Sequence, residues 1–147
     1  MSEIVLTSQY IAQKAAVIKN GSLLLIHYSE AKYVSEKVAG KWGFPGGKIE
    51  PGEEPDESMI REVKDETGVK IKCGSPFYIW SWVYNKDMAR VQIVAIARFA
   101  TYLSGKLIPA KNERETKIDR VDFIPIEDLR RFPIIYDEAP LIDLIIN

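Results

Sequence analysis

Cysteine and histidine are almost missing from this chain. Cys73 is the single cysteine in 147 residues, so no disulfide can close within it, and a free thiol in a strand is expected. His27 is the single histidine. A lone histidine in a strand is more often a packed residue than a base, which argues against histidine-driven catalysis. Long apolar runs are missing too. Leu23–Ile26 is far too short to span a bilayer, so no membrane partner is expected. Near the N-terminus Glu3 stands where a secretory leader would carry basic residues, so the expected location is the cytoplasm. Charge of one sign is not in excess: 20 Lys and Arg face 21 Asp and Glu, for a net charge of −1. Without a basic stripe, electrostatic capture of long nucleic acid is not expected, whereas a single nucleotide remains open.

The length suits one domain over residues 1–147 with a core of its own. Two stretches read as strands, Ala15–Lys19 and Leu23–Tyr28, around the hairpin signal Asn20-Gly21. Ile4-Val5-Leu6 reads as a short edge strand, and Ser29–Gly40 as a polar loop whose Lys32, Lys37 and Lys41 are solvated or meet phosphates. A second hairpin runs from Val69–Val83 to Ala89–Leu103, with its turn at Asn85-Lys86-Asp87. Tyr78, Trp80, Trp82 and Tyr84 alternate there and so share one face. If Tyr84 pairs with Ala89, that face also receives Val91, Ile93 and Ala95. Apolar neighbours favour burial in a core or in a homodimer contact over a base-stacking platform.

Gly46 to Val69, GGKIEPGEEPDESMIREVKDETGV, organises the rest. It opens as a glycine-rich turn and continues as one helix from Pro55, suited to the first helical position, to Gly68, suited to the position just past the end. At about 100° per residue, Glu62, Asp65 and Glu66 fall within one arc, and Ile60, Val63 and Thr67 on a neighbouring arc that can face a core. Carboxylates so placed repel by roughly 0.2–0.5 kcal/mol per pair, and Lys64 points away from them. A solvated acidic face accounts for the spacing. So does a hard divalent cation, which would turn repulsion into binding.

The order of residues goes further. Gly47, five residues, Glu53, seven residues and then Arg61-Glu62-Val63-x-Asp65-Glu66-x-Gly68-Val69 resembles the signature box of the Nudix hydrolase family. The one departure is Asp65, where that family usually carries Glu. The preceding Trp42-Gly43-Phe44-Pro45-Gly46-Gly47 and the late Val121–Leu129 segment also look like the family's. The resemblance implies an α/β fold, a three-layer α/β/α sandwich with a mixed β-sheet. It implies cleavage of the diphosphate linkage of a nucleoside diphosphate derivative, with Mg²⁺ or Mn²⁺ as cofactor. Glu62 and Glu66 would hold the metal, Asp65 directly or through water, with a carbonyl near Gly46 completing the shell. Glu53 and Arg61 look like the family's pair tying loop to helix.

The base would be one of these carboxylates or an acid of the 113–119 loop, where Glu113, Glu115 and Asp119 stand and Glu115 is the extra acid expected as a metal ligand or base. Arg61, Lys48 or Arg90 would meet the leaving group, and a nucleobase would want an aromatic such as Trp42, Phe44 or Tyr84. For the substrate, a nucleoside triphosphate or dinucleoside polyphosphate stands beside ADP-ribose or a nucleotide sugar. A nucleotide-binding sensor without turnover is the reading from another class, and isomerisation of a diphosphate is a third.

Overall fold

In a computed structural model, the structure describes residues 7–32, 34–109 and 117–147. The strands are β1 (Thr7–Lys19), β2 (Ser22–Tyr28), β3 (Trp42–Gly43), β4 (Gly46–Lys48), β5 (Lys70–Lys86), β6 (Ala89–Ser104) and β7 (Ile118–Pro125). The α-helices are α1 (Pro55–Thr67) and α2 (Ala139–Ile146), with 3₁₀ turns at Ile126–Arg131 and Tyr136–Glu138. All seven strands form one mixed sheet in the order β3-β2-β1-β6-β5, with β4 on β1 and β7 on β2. Among the described residues only β1 and β6 pair in parallel; the other strand pairs are antiparallel.

Alternation along β1 builds the layers. Ala15 and Val17 face α1, where they pack with Leu24, Met59, Val63, Val69 and Ile71. Ala16, one residue out of phase, joins Leu23, Leu25, Trp42, Phe44, Leu141 and Ile142 on the α2 side. The result is an α/β/α sandwich. Asn20 and Gly21, at φ 49° and 75°, make the first hairpin turn as the sequence suggests. Pro55 opens α1, and Gly68 closes it at φ 83° with its N–H on the Lys64 carbonyl.

Four expectations are corrected. β1 begins at Thr7 rather than Ala15, because a parallel ladder with β6 runs from Thr7–Arg90 to Ile18–Thr101. Such pairing is non-local, and Gln9, Gln13 and Lys14 break the apolar pattern that would announce it. The second hairpin turns at Asp87-Met88, both at positive φ, so Asn85 and Lys86 belong to β5 and Tyr84 faces Val91. On α1 the core contact comes from Met59, 1 % exposed, while Ile60 is 36 % exposed. Burying a Met side chain contributes roughly 1.5–3 kcal/mol. Ile4–Leu6 lies outside the described residues. His27 is packed against Trp42 and bonds Asp119 through Nδ1 at 2.6 Å.

Candidate active site

Helix α1 carries two carboxylates inward. Glu62 and Glu66 are one turn apart and only 5 % and 7 % exposed. Glutamates are rarely so buried unless they are paired. Glu62 Oε1 accepts from Arg61 Nη1 at 2.8 Å, and Glu66 Oε1 accepts the backbone N–H of Gly46 at 2.7 Å. The glycine-rich strand β4 lies directly over them. A Cβ on Gly47 would stand 2.7 Å from the Glu62 carboxyl carbon, and one on Gly46 would stand 1.9 Å from the Gln13 carbonyl oxygen. These two positions are glycine because backbone and carboxylate approach too closely for a side chain.

Arg61 ties the loop to the helix. Its Nε and Nη2 donate to Glu53 Oε2 and Oε1 at 2.6 and 2.9 Å, a bidentate pair. Hydrogen bonds from Arg61, and then from the Glu50 N–H, hold the Glu53 carboxyl down at about 2. Arg61 itself is raised above its ordinary value, first by its hydrogen bond to Glu53.

Sequence reasoning missed a second group beside this pair. Glu138, from the 3₁₀ turn before α2, is buried and accepts the Phe44 N–H at 2.7 Å. Burial pushes its carboxyl up, against the opposing pull of Lys14. Lys14, half-buried on β1, would be lowered by burial. The charges of Glu138 and Glu66 help to outweigh that and leave it raised, so it stays an ammonium. Burial pushes the Tyr28 hydroxyl up to about 12. The available signal is a lysine set among the buried residues of a strand, and it lies one residue before the Ala15–Lys19 segment whose apolar pattern announces that strand.

The other expected site residues scatter. Asp65 is exposed on α1, away from the inward face. Among the described residues no three acidic, histidine or cysteine side chains gather closely enough to hold an ion by themselves. Trp42 and Phe44 are 6 % and 0 % exposed and belong to the core, so neither offers a face to a base. Lys48 Nζ lies 4.2 Å from the centre of the Tyr10 ring, beside the groove between β1 and the Ile49–Glu53 loop. Tyr84 and Arg90 sit at the far end of the β5–β6 hairpin. Arg90 pairs with Thr7, whereas Lys48 pairs with Ala12. That is about 17 Å along β1, too far to share a phosphate. Glu115 lies outside the described residues, and Asp119 is engaged by His27.

The donor set fits a hard cation. Glu62 and Glu66 offer oxygen only, and Mg²⁺ typically takes one or two carboxylates plus substrate phosphates and water. A full protein cage is not needed.

Comparison with known proteins shows the family and the fold. The NUDIX domain model matches residues 12–145. An RNA pyrophosphohydrolase of Nitratiruptor is 35 % identical over 98 residues, 63 % of each chain. The chain thus spans under two thirds of that relative's length. An ADP-ribose pyrophosphatase of Methanocaldococcus jannaschii is 26 % identical over 78 % of this chain and 64 % of its own. Among solved structures, a MutT NUDIX hydrolase from Burkholderia pseudomallei superposes with a TM-score of 0.72 at 21 % identity, over 92 % of this chain and 97 % of that one. With its box, its sandwich and a match over nearly its whole length, this chain belongs to the NUDIX domain family.

Proposed function

We propose that this chain is a pyrophosphohydrolase acting on a nucleoside triphosphate or dinucleoside polyphosphate. The observation that carries the reading is the buried pair Glu62 and Glu66 beneath Gly46 and Gly47. Two buried carboxylates one helical turn apart, against a bare backbone, suit a Mg²⁺ or Mn²⁺ ion shared with substrate phosphates. Such an ion, when bound, neutralises phosphate oxygens and activates a water for in-line attack.

The chain's own residues do the rest. Arg61 clamps Glu53 and fixes the loop over the pair. Gly46 orients Glu66 through its N–H. A carboxylate at the site takes the proton from the attacking water. Asp65, exposed on the same helix, acts at longer range through its charge or through a bridging water. Lys48, in reach of the same loop, meets the leaving phosphates. The free thiol of Cys73 and a nucleotide substrate suit the cytoplasm. The named relatives share pyrophosphate hydrolysis and differ in what else the substrate carries, which leaves ADP-ribose in the test set.

The test is a panel of nucleoside triphosphates, dinucleoside polyphosphates, ADP-ribose and an RNA with a terminal polyphosphate, each with and without Mg²⁺. The expected result is metal-dependent release of a nucleoside monophosphate or of phosphate from the first two classes. Release from ADP-ribose alone would move the substrate class. Tight binding with no product would replace the enzyme with a sensor.

A further inference from the structure

Strand β5 is the last in the sheet, with β6 on one side and no strand on the other among the described residues. Natural edge strands are protected by charges, prolines or bulges, because their free N–H and C=O groups recruit other strands. The first half of β5 has all three: Lys70 and Lys72, bulges between Cys73 and Tyr78, and Pro76. The second half has none. Phe77 to Asn85, FYIWSWVYN, is nine residues without a charge, a proline or a glycine. Ile79 and Val83, on one face of this stretch, are 65 % and 50 % exposed. On the other face Tyr78, Trp80, Trp82 and Tyr84 are only half-buried, in a ladder with neighbouring rings 5.7 and 6.5 Å apart along Tyr78–Trp80–Trp82.

The stretch is complementary to itself. An antiparallel copy related by a two-fold axis at Ser81 sets Ile79 opposite Val83, Trp80 opposite Trp82, Tyr78 opposite Tyr84 and Phe77 opposite Asn85. Each of the first three is a like pair of the kind that stabilises sheets. Charges resume at Lys86, which then faces Pro76, so no charge meets its like. We propose that the β5 edge from Phe77 to Asn85 pairs with the same edge of a second copy about Ser81, joining two sheets into one. A two-fold interface of this kind closes on itself, so the product is a dimer and not a fibre. The paired edge runs for about 30 Å. Its area lies near the lower bound of about 1,000 Å² for a specific interface, so association in the micromolar range is expected.

Cross-linking reads the register directly. In a Cys73→Ser background, Ser81→Cys brings two thiols face to face across the axis, at a Cα spacing of about 4.5–5.5 Å that suits a disulfide. Under mild oxidation this variant is expected to run as a covalent dimer. Ile79→Cys is expected not to cross-link with itself, since its own copy lies about 13 Å along the strand. Mixed with Val83→Cys, it is expected to do so. The unmodified protein is expected to sediment as a concentration-dependent dimer, and Ser81→Lys, which opposes two ammonium groups at the axis, as a monomer with unchanged far-ultraviolet circular dichroism. A monomer at every concentration up to about 200 µM, well above the micromolar range expected for so small an interface, would overturn the proposal. So would Ile79→Cys cross-linking alone as readily as Ser81→Cys.

Discussion

The backbone N–H of Gly46 donates to Glu66 Oε1 at 2.7 Å, bridging 20 residues between the glycine turn and the helix. This bond fixes the Glu66 carboxylate against the glycine turn. Glu66→Gln keeps an amide oxygen for Gly46 while removing the charge. Turnover should fall on the order of 10²-fold or more, the scale at which an essential proton-transfer or metal-positioning group acts. The melting temperature should move little. Steady-state kinetics with Mg²⁺ titration, beside thermal unfolding, checks this; loss of fold together with loss of rate would make the glutamate a structural residue.

Gly47 and Gly46 should separate activity from stability. Alanine at Gly47 places a methyl 2.7 Å from the Glu62 carboxyl carbon, so the side chain must swing. The fold survives, because the obstacle is a side-chain end, but metal affinity and kcat should drop together. Alanine at Gly46 meets the Gln13 backbone oxygen and a φ of 148°. Strain of that kind costs about 1–3 kcal/mol, and the protein should unfold at lower urea. Equal destabilisation by the two variants would contradict this division.

The box was legible because it is local. Its glycines, its capping proline and its acids occupy one window, and each has a backbone reason to be there. Met59 in place of Ile60 at the core is a rotation of the helix by one residue, below what an apolar pattern interrupted by Glu62 and Glu66 can resolve. Asp65 shares their arc in sequence, yet the sheet selects a narrower inward stripe and leaves it outside. Trp42 and Phe44 read as ligand contacts since they flank the glycine turn, whereas α2, about a hundred residues later, covers them. Lys14 and Glu138 could not be paired from sequence, because they stand 124 positions apart.

Asp65→Glu restores the family residue at an exposed position, and surface substitutions of this kind usually stay within about 0.5 kcal/mol. Stability and turnover should both stay near the unaltered protein. Asp65→Ala should cost less rate than Glu62→Gln. A ranking in which Asp65→Ala is the most damaging of the three would place the metal nearer the helix exterior.

The Glu53–Arg61 clamp gives a pH signature. Glu53 is depressed in the folded state, from the ordinary 4.5 to about 2, first by its hydrogen bonds from Arg61. A depressed acid contributes stability above its unfolded value, and that contribution is lost as the pH falls through the folded one. The window is therefore about pH 4.5 down to about 2. Glu53→Gln should flatten the acid limb of a urea stability profile in that range and lower stability near neutrality. An unchanged acid limb would show that the pair is equally formed in the unfolded chain.

Lys14 and Glu138 oppose one another inside the sandwich, and removal of one should cost more than removal of both. Lys14→Met leaves Glu138 buried among Phe44, Gly43 and Ile135 with its counter-charge gone. Lys14 is half-buried and makes no direct ion pair with Glu138. The loss should therefore be smaller than the cost of about 3–5 kcal/mol for breaking a fully buried pair from one side, whereas replacing both partners with apolar groups is often neutral. Glu138→Gln should also destabilise, though less, since the amide oxygen can still accept from Phe44. Lys14→Met combined with Glu138→Leu should recover part of the loss of Lys14→Met alone, less the cost of the orphaned Phe44 N–H, about 1–3 kcal/mol. Chemical unfolding of the unaltered protein, Lys14→Met, Glu138→Leu and their combination closes a double-mutant cycle and measures the coupling. Losses that simply add would mean that Lys14 is neutralised mainly by Glu66, and the ammonium would then belong to the carboxylate pair of the candidate site, where it competes with the cation and should raise the metal concentration needed for half-maximal rate.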